Sequence, residues 1–376
     1  MFRIQKSLPD LALAGYLLAS PFYVLRSGLP QPADILLLTG ATILLATASF
    51  PLRFVRDPAV AGIALLVFWM VLVNATWAFW LGDASILIYS AYYLFNFLVF
   101  ASFVSCFRRW TWEYTISVIS ASIVIQFLLF PFWSFRGFRA EVFFNNPNQV
   151  GQFSVLAFCL IFLAWLQSGQ STRINWIAVI GALGAGGLAL ASQSKAAVLS
   201  LAFLGLFAGM KYARKTLLSV VLSACVVLGL FSHLSTGFSI SDIVIVERLG
   251  GFFAGEEQDS GLAERGYLRI LEHPLHAILG AGEGAYGRWP SSGPLEIEIH
   301  STPGTLLFSY GLPAIALALL IGLTLVRSFG MPTVLVLGAV VLYGLTHQGL
   351  RFSLAWVLLA ALVVQDRLLL GRQSSA

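Results

Sequence analysis

The sequence predicts an all-α polytopic membrane protein of about twelve transmembrane helices, with one large, partly helical loop on the outer side. Three observations predict it. Hydrophobic residues make up 58% of the 376 and charged residues only 10%, where a soluble domain carries about 25% charge; such a chain cannot cover a water-facing surface. Mean hydropathy is +0.86, and the apolar residues lie in continuous runs close to the roughly 20 residues of a spanning helix, not in the period-2 alternation of membrane barrel strands. Only one long segment, 232–302, is hydrophilic.

Taken in order, the first run is 11–27. Arg3 and Lys6 precede it, but about eleven further runs follow, so it reads as a first transmembrane helix and not as a cleaved signal peptide. Runs at 34–50, 59–80, 86–106, 113–133, 149–167 and 175–191 come next. The last five are 195–210, 215–231, 303–325, 331–347 and 351–366. The runs 175–191 and 195–210 touch through Ser192-Gln193-Ser194, which leaves a count of eleven or twelve. Membrane helices 1–9 thus fill 1–231, the large loop 232–302, and helices 10–12 with a short tail 303–376.

Orientation follows from the basic residues, which concentrate on the cytoplasmic side of membrane proteins. With the N-terminus inside, that side holds Arg3, Lys6, Arg53, Arg56, Arg108, Arg109, Arg173, Lys211, Arg214, Lys215, Arg327, Arg367 and Arg372. The net charge of +5 therefore reports topology and carries no implication of nucleic acid. Both termini fall inside and 232–302 outside. That loop holds most of the acidic residues and four of the five histidines. Within it, 261–274 has the pattern of an amphipathic helix stopping before Pro274, and a second short helix starts near Ser241. Cys106, Cys159 and Cys225 lie far apart in or beside apolar runs, with neither disulfide nor metal spacing.

Nine basic residues remain for the outer face: Arg26, Arg136, Arg139, Lys195, Arg248, Arg265, Arg269, Arg288 and Arg351. Lys195 follows Ser192, Gln193 and Ser194 at the end of a run, where it forms one wall of a polyanion site or snorkels to water. Arg265 and Arg269, four apart, share a helix face; they suit phosphate through forked hydrogen bonds, or they pair with Glu264 and Glu272. Gly280-Ala281-Gly282-Glu283-Gly284 permits a tight turn or close approach to a ligand, and it is no nucleotide fingerprint. Thr302 and Pro303 suit a helix start. This puts His300 at the membrane surface as a base for an acceptor hydroxyl, or as a packed residue, with Glu296 and Glu298 able to orient it or replace it. His273 and His276 have no third ligand to make a metal site. Asn145 and Asn148 flank Pro147 as sugar contacts or as turn formers, with Arg136 and Arg139 upstream. A cationic rim suits a lipid-linked phosphate or pyrophosphate; the acids and asparagines suit a carbohydrate.

These segments resemble the superfamily of O-antigen ligases and Wzy-type O-antigen polymerases. The resemblance covers most of the chain by topology and, by motif, 144–152, 190–200 and 264–316. Phe144-Asn145-Asn146-Pro147-Asn148-Gln149 is similar to an Asn-Pro-Asn element before a span. Ser192-Gln193-Ser194-Lys195 is similar to a serine–basic element in which the family usually has arginine. The stretch from Arg265 through Pro274 to the glycine cluster resembles an arginine-bearing loop helix, although Asp259 stands where many members have arginine. His300-Ser301 and the glycine-containing helix after it resemble the histidine–serine element.

The resemblance implies an enzyme of the bacterial inner membrane with its large loop in the periplasm. It would act without metal or other cofactor on an undecaprenyl-diphosphate-linked oligosaccharide. His300 or Glu298, with Arg265 and Lys195, would be catalytic. Lys195, Arg265, Arg269 and Arg248 would bind the diphosphate, and Asn145, Asn148, Arg136, Arg139 and Glu283 the sugar. Polymerisation of repeat units is the preferred reading, which brings a chain-length regulator and a flippase as partners. The alternatives are ligation to lipid A–core or another acceptor, and a multispanning transporter.

Overall fold

The computed structural model describes residues 7–47, 57–137, 139–168, 172–212, 266–289 and 298–373. The expected span 215–231, the helix near Ser241, and Arg248, Arg265, Glu296 and Cys225 lie outside these described residues.

Thirteen α-helices form among them. In chain order they are α1 (Leu8–Ala19), α2 (Pro32–Ala46), α3 (Pro58–Leu81), α4 (Leu87–Phe107), α5 (Trp112–Leu128), α6 (Pro147–Gln167), α7 (Thr172–Ser192) and α8 (Lys195–Tyr212). The short α9 (Leu268–Glu272) and α10 (His276–Leu279) follow, then α11 (Thr302–Phe329), α12 (Met331–Gly344) and α13 (Ser353–Gln373). A small antiparallel hairpin, β1 (Ser134–Arg136) and β2 (Arg139–Val142), interrupts the helices.

The expectation of about twelve transmembrane helices is corrected here. Among the described residues only five helices are long and apolar enough to cross a membrane: Pro58–Leu81, Ala84–Phe107, Pro147–Gln167, Arg173–Ser192 and Thr302–Ser328. The physical reason is that apolar composition runs past the points where the backbone stops being helical. The run 11–27 stays helical only to Ala19, because Pro21 has no N–H with which to continue the ladder, and the last helical bond is the Ser20 amide to Tyr16 O. The run 113–133 ends at Leu128, ahead of Phe130-Pro131. Twelve helical residues reach about 18 Å at 1.5 Å each, short of a hydrocarbon core about 30 Å thick.

The helix starts are encoded locally. Asp57 accepts from the Ala59 and Val60 amides at 2.9 and 3.4 Å and Pro58 opens α3, which closes on left-handed Gly82. Asn146 accepts from the Asn148 amide at 2.8 Å ahead of Pro147. For α11 the cap is Ser301, one residue before the expected Thr302, and it accepts from the Gly304 amide at 3.1 Å.

One extended apolar core joins the helices. At one end of the bundle Asp10 takes hydrogen bonds from Arg109 (2.7 Å), Trp110 (3.1 Å) and Cys106 (3.3 Å). The opposite end gathers residues 20–31, the start of α4, the hairpin and the N-terminus of α6, the 192–195 turn, 266–289, the start of α11 and 343–353. Hydrogen bonds between these segments fix the grouping.

Candidate functional site

The site begins with a break in α11. Gly311 has φ 75 and ψ −177, and Pro313 follows two residues later. The break takes the Leu312 amide from the Phe308 carbonyl, and Pro313 has no N–H for Ser309. Both carbonyls are claimed by the 280–284 segment: Ala281 N–H donates to Phe308 O and Gly282 N–H to Ser309 O, each at 2.9 Å. The Trp69 indole takes the third exposed carbonyl, Tyr310 O, at 2.7 Å, and the Trp77 indole holds Gly280 O at 3.0 Å. Glycine is required on both sides of this contact. A Cβ at Gly280 would sit 2.6 Å from Ser309 O, and one at Gly311 2.6 Å from Ile278 O. The glycine cluster is thus a docking segment on a broken helix.

Docking delivers Glu283 into the bundle, where it is 1% exposed. The Tyr93 and Tyr310 hydroxyls donate to one carboxylate oxygen at 2.5 and 2.7 Å. The other oxygen faces the Gln348 amide at 3.5 Å and Arg351 Nε at 3.4 Å. The Glu283 amide donates to Asn74 Oδ1 at 2.9 Å, and Asn74 Nδ2 donates to the Tyr310 oxygen at 3.3 Å. Arg351 also pairs with Glu298 through Nη2 and lies 5.3 Å over the Tyr89 ring. Burial alone would lower the Arg351 pKa; Glu283 and Glu298 outweigh it and raise it.

A second cluster lies around α6. Arg139 donates through Nη2 to Asn148 Oδ1 at 2.6 Å and through Nε to Ser192 O at 3.0 Å. Tyr343 donates to Asn148 O at 2.5 Å and stacks on His347 at 4.6 Å. Asn145 faces away, donating to Leu25 O at 2.9 Å. The 192–195 turn ends on Ser194, whose hydroxyl accepts from the Ala197 amide at 3.4 Å, and half-buried Lys195 opens α8 beside it. Arg136 is exposed on the hairpin opposite Arg139.

The 343–353 segment ties the clusters together. Thr302 donates its hydroxyl to His347 O at 3.0 Å and accepts from the Gly349 amide at 2.9 Å, while Gln152 reaches Gly349 O at 3.3 Å. His300 stands two residues before Thr302, half-buried.

The loop arginines form a third group. Arg269 is buried, 5.8 Å from the Tyr286 ring centre, and burial lowers its pKa. Arg288 lies over Trp77 (4.8 Å) and Trp289 (4.7 Å) and donates to the Ala281 and Gly282 carbonyls. Its Nε and Nη1 are buried without a hydrogen-bond partner. Burial, and then Arg269, lower its pKa to about 10. His273 lies tilted against Trp289 at 4.8 Å and His276 meets it edge-on at 4.9 Å. Among the described residues no group of three His, Cys, Asp or Glu could hold a metal.

Of the residues singled out in the sequence, the fold brings Arg139, Asn148 and the Lys195 turn together, and Glu283 with Glu298. It sets Asn145 and Arg136 apart from the Arg139–Asn148 contact. The sequence reading missed Asn74, Tyr93, Tyr310 and Gln348 as partners of Glu283, and Arg351 as the cation between two carboxylates. A signal was present, since Asn74 and Asn96 sit inside apolar runs, where a polar side chain needs a partner. Compared with protein-family models and with curated proteins, the chain matches none.

Proposed function

We propose that this chain is a membrane glycosyltransferase. Its donor is a glycan on undecaprenyl diphosphate, its site is the end of the bundle that carries 266–289, facing the periplasm of a bacterial inner membrane, and its reaction polymerises oligosaccharide repeat units. One observation carries the reading. Four segments far apart in sequence, 145–148, 192–195, 280–284 and 300–302, lie at one end of the bundle, linked by hydrogen bonds to one another or through 343–353.

In this reading an acceptor hydroxyl attacks the anomeric carbon and its proton passes to His300. The bond to the diphosphate oxygen breaks, and undecaprenyl diphosphate leaves with the electron pair. Glu298, engaged by Arg351, is the alternative base. Lys195, Arg269 and Arg288 stabilise the charge that develops on the leaving group; Arg288, with two unpartnered nitrogens, joins that set.

The test is reconstitution with purified lipid-linked repeat units. A ladder of longer chains is expected, and His300→Ala should slow it by about 10²–10⁴-fold, the usual contribution of a general base. Transfer to lipid A–core without a ladder would make the chain a ligase. Neither product from an intact donor would overturn glycosyl transfer altogether.

A further inference from the structure

A cavity of about 590 Å³ opens beside the Arg351 pair, walled by residues 16–38, the start of α4, Gln149 and Gln152 of α6, and 348–354. Its size falls within the roughly 300–1,000 Å³ of small-molecule sites. Its chemistry differs from that of the loop arginines. Among the described residues, the charged side chains on its wall are Asp34, Glu298 and Arg351. Arg351 is already paired with Glu298 and, behind it, with Glu283. Asp34 accepts from the Gln31 amide at 2.7 Å in its own helix cap. The formal charge of the wall is therefore one negative, which repels a diphosphate.

The remaining polar side chains among the described residues are uncharged amides, phenols and serine hydroxyls, including Asn96, Gln149, Gln152, Gln348, Tyr23 and Tyr92. Asn96 is decisive. It is 1% exposed, its Nδ2 donates to Arg351 O at 3.2 Å, and its Oδ1 is buried with no hydrogen-bond partner. A buried carbonyl of this kind needs a donor. Amides that both donate and accept match hydroxyls, and the aromatic faces of Phe95 and Phe153 on the same wall suit the apolar face of a sugar ring.

We infer that this cavity is a binding site for an uncharged, hydroxyl-rich ligand, the acceptor end of an oligosaccharide, separate from the diphosphate site. The identification as an acceptor rests on the transferase reading; the ligand class rests on the cavity alone. Asn96 Oδ1 accepts a sugar hydroxyl, and the Arg351–Glu298 pair lies on the same wall.

The experiment uses the purified full chain in detergent and two probes: the host's repeat-unit oligosaccharide, freed of its lipid carrier by mild acid, and inorganic pyrophosphate. Saturation-transfer NMR reads binding without turnover. The oligosaccharide should bind to wild type. Ala91→Trp fills the cavity from its exposed rim without removing a side-chain hydrogen bond, and should weaken that binding about tenfold or more while leaving the pyrophosphate signal unchanged. Asn96→Leu, checked for folding by thermal melt, should do the same. Oligosaccharide binding with no ladder and no transfer would keep this site and discard the transferase reading. Ladder formation with Ala91→Trp binding the oligosaccharide as wild type does would discard the site alone. Pyrophosphate displaced by Ala91→Trp would overturn the charge argument.

Discussion

At the residue scale the molecule turns on Glu283, a carboxylate with 1% exposure held by two phenols, an amide and a guanidinium. Isolated, it would be far too costly to bury; its partners make it tolerable. Removing one member of such a pair strands the other, so Glu283→Ala should destabilise by about 3 kcal/mol, the low end of the range for broken buried pairs. The low end applies because Arg351 is 26% exposed and keeps Glu298. Glu283→Leu combined with Arg351→Met should be milder than Glu283→Ala alone, since no unpaired charge is left behind. Thermal unfolding of the three proteins in one detergent checks the order; a double variant worse than the single would show that the pair itself stabilises the fold. In the sequence Arg351 reads as one rim cation among nine and Glu283 as a sugar ligand. Nothing in spacing says that they meet, because the contact depends on where a broken helix receives a loop.

At the element scale the break in α11 and the 280–284 segment are one device. Each supplies what the other lacks, carbonyls without donors against amides without acceptors. The glycine cluster was legible as a place of close approach; the break at Gly311–Pro313 was not, since 303–325 reads as one continuous apolar run, and that the two face each other leaves no periodic trace either, because complementary hydrogen-bond vacancies have none. The helix beside this segment carries its own sensor. His276 packs between Trp77 (5.3 Å), Trp289 (4.9 Å) and Phe308 (5.8 Å), with His273 6.3 Å away. Burial lowers its pKa below the ordinary 6.5, and Arg288 and His273 lower it further. The folded state therefore holds fewer protons than the unfolded one once pH falls below 6.5. The docked loop keeps its full stability above that pH and loses it progressively down to the depressed pKa. The thermal midpoint should fall between pH 7 and pH 5, and His276→Phe should flatten that part of the profile. A profile unchanged by His276→Phe would assign the titration elsewhere.

At the scale of the whole molecule, composition reveals the helical class and the abundance of apolar runs, because both are sums over many residues. The number of crossings is not such a sum. It depends on where each helix stops, and prolines at 21 and 131 stop two of them several residues before the apolar run ends. Among the described residues, four apolar helices of 12–17 residues, α1, α2, α5 and α12, stand beside the five long ones. A helix of 15 residues reaches about 22 Å, so it meets both surfaces of a core about 30 Å thick only if the bilayer thins or flanking side chains reach out. The long helices α3, α6 and α11 nevertheless define two ends, one carrying Asp10–Arg109 and the other Glu283–Arg351. If these ends lie on opposite faces, a cysteine at exposed Arg136 and one at Met331, which is 41% exposed, should differ in access. In a background with Cys106, Cys159 and Cys225 replaced, Arg136→Cys should react with a membrane-impermeant maleimide in intact spheroplasts, and Met331→Cys only after permeabilisation. Equal labelling of both before permeabilisation would mean that the bundle rests at the membrane without crossing it, and the reversed pattern would place the Glu283–Arg351 end in the cytoplasm, where a periplasmic transferase site cannot be.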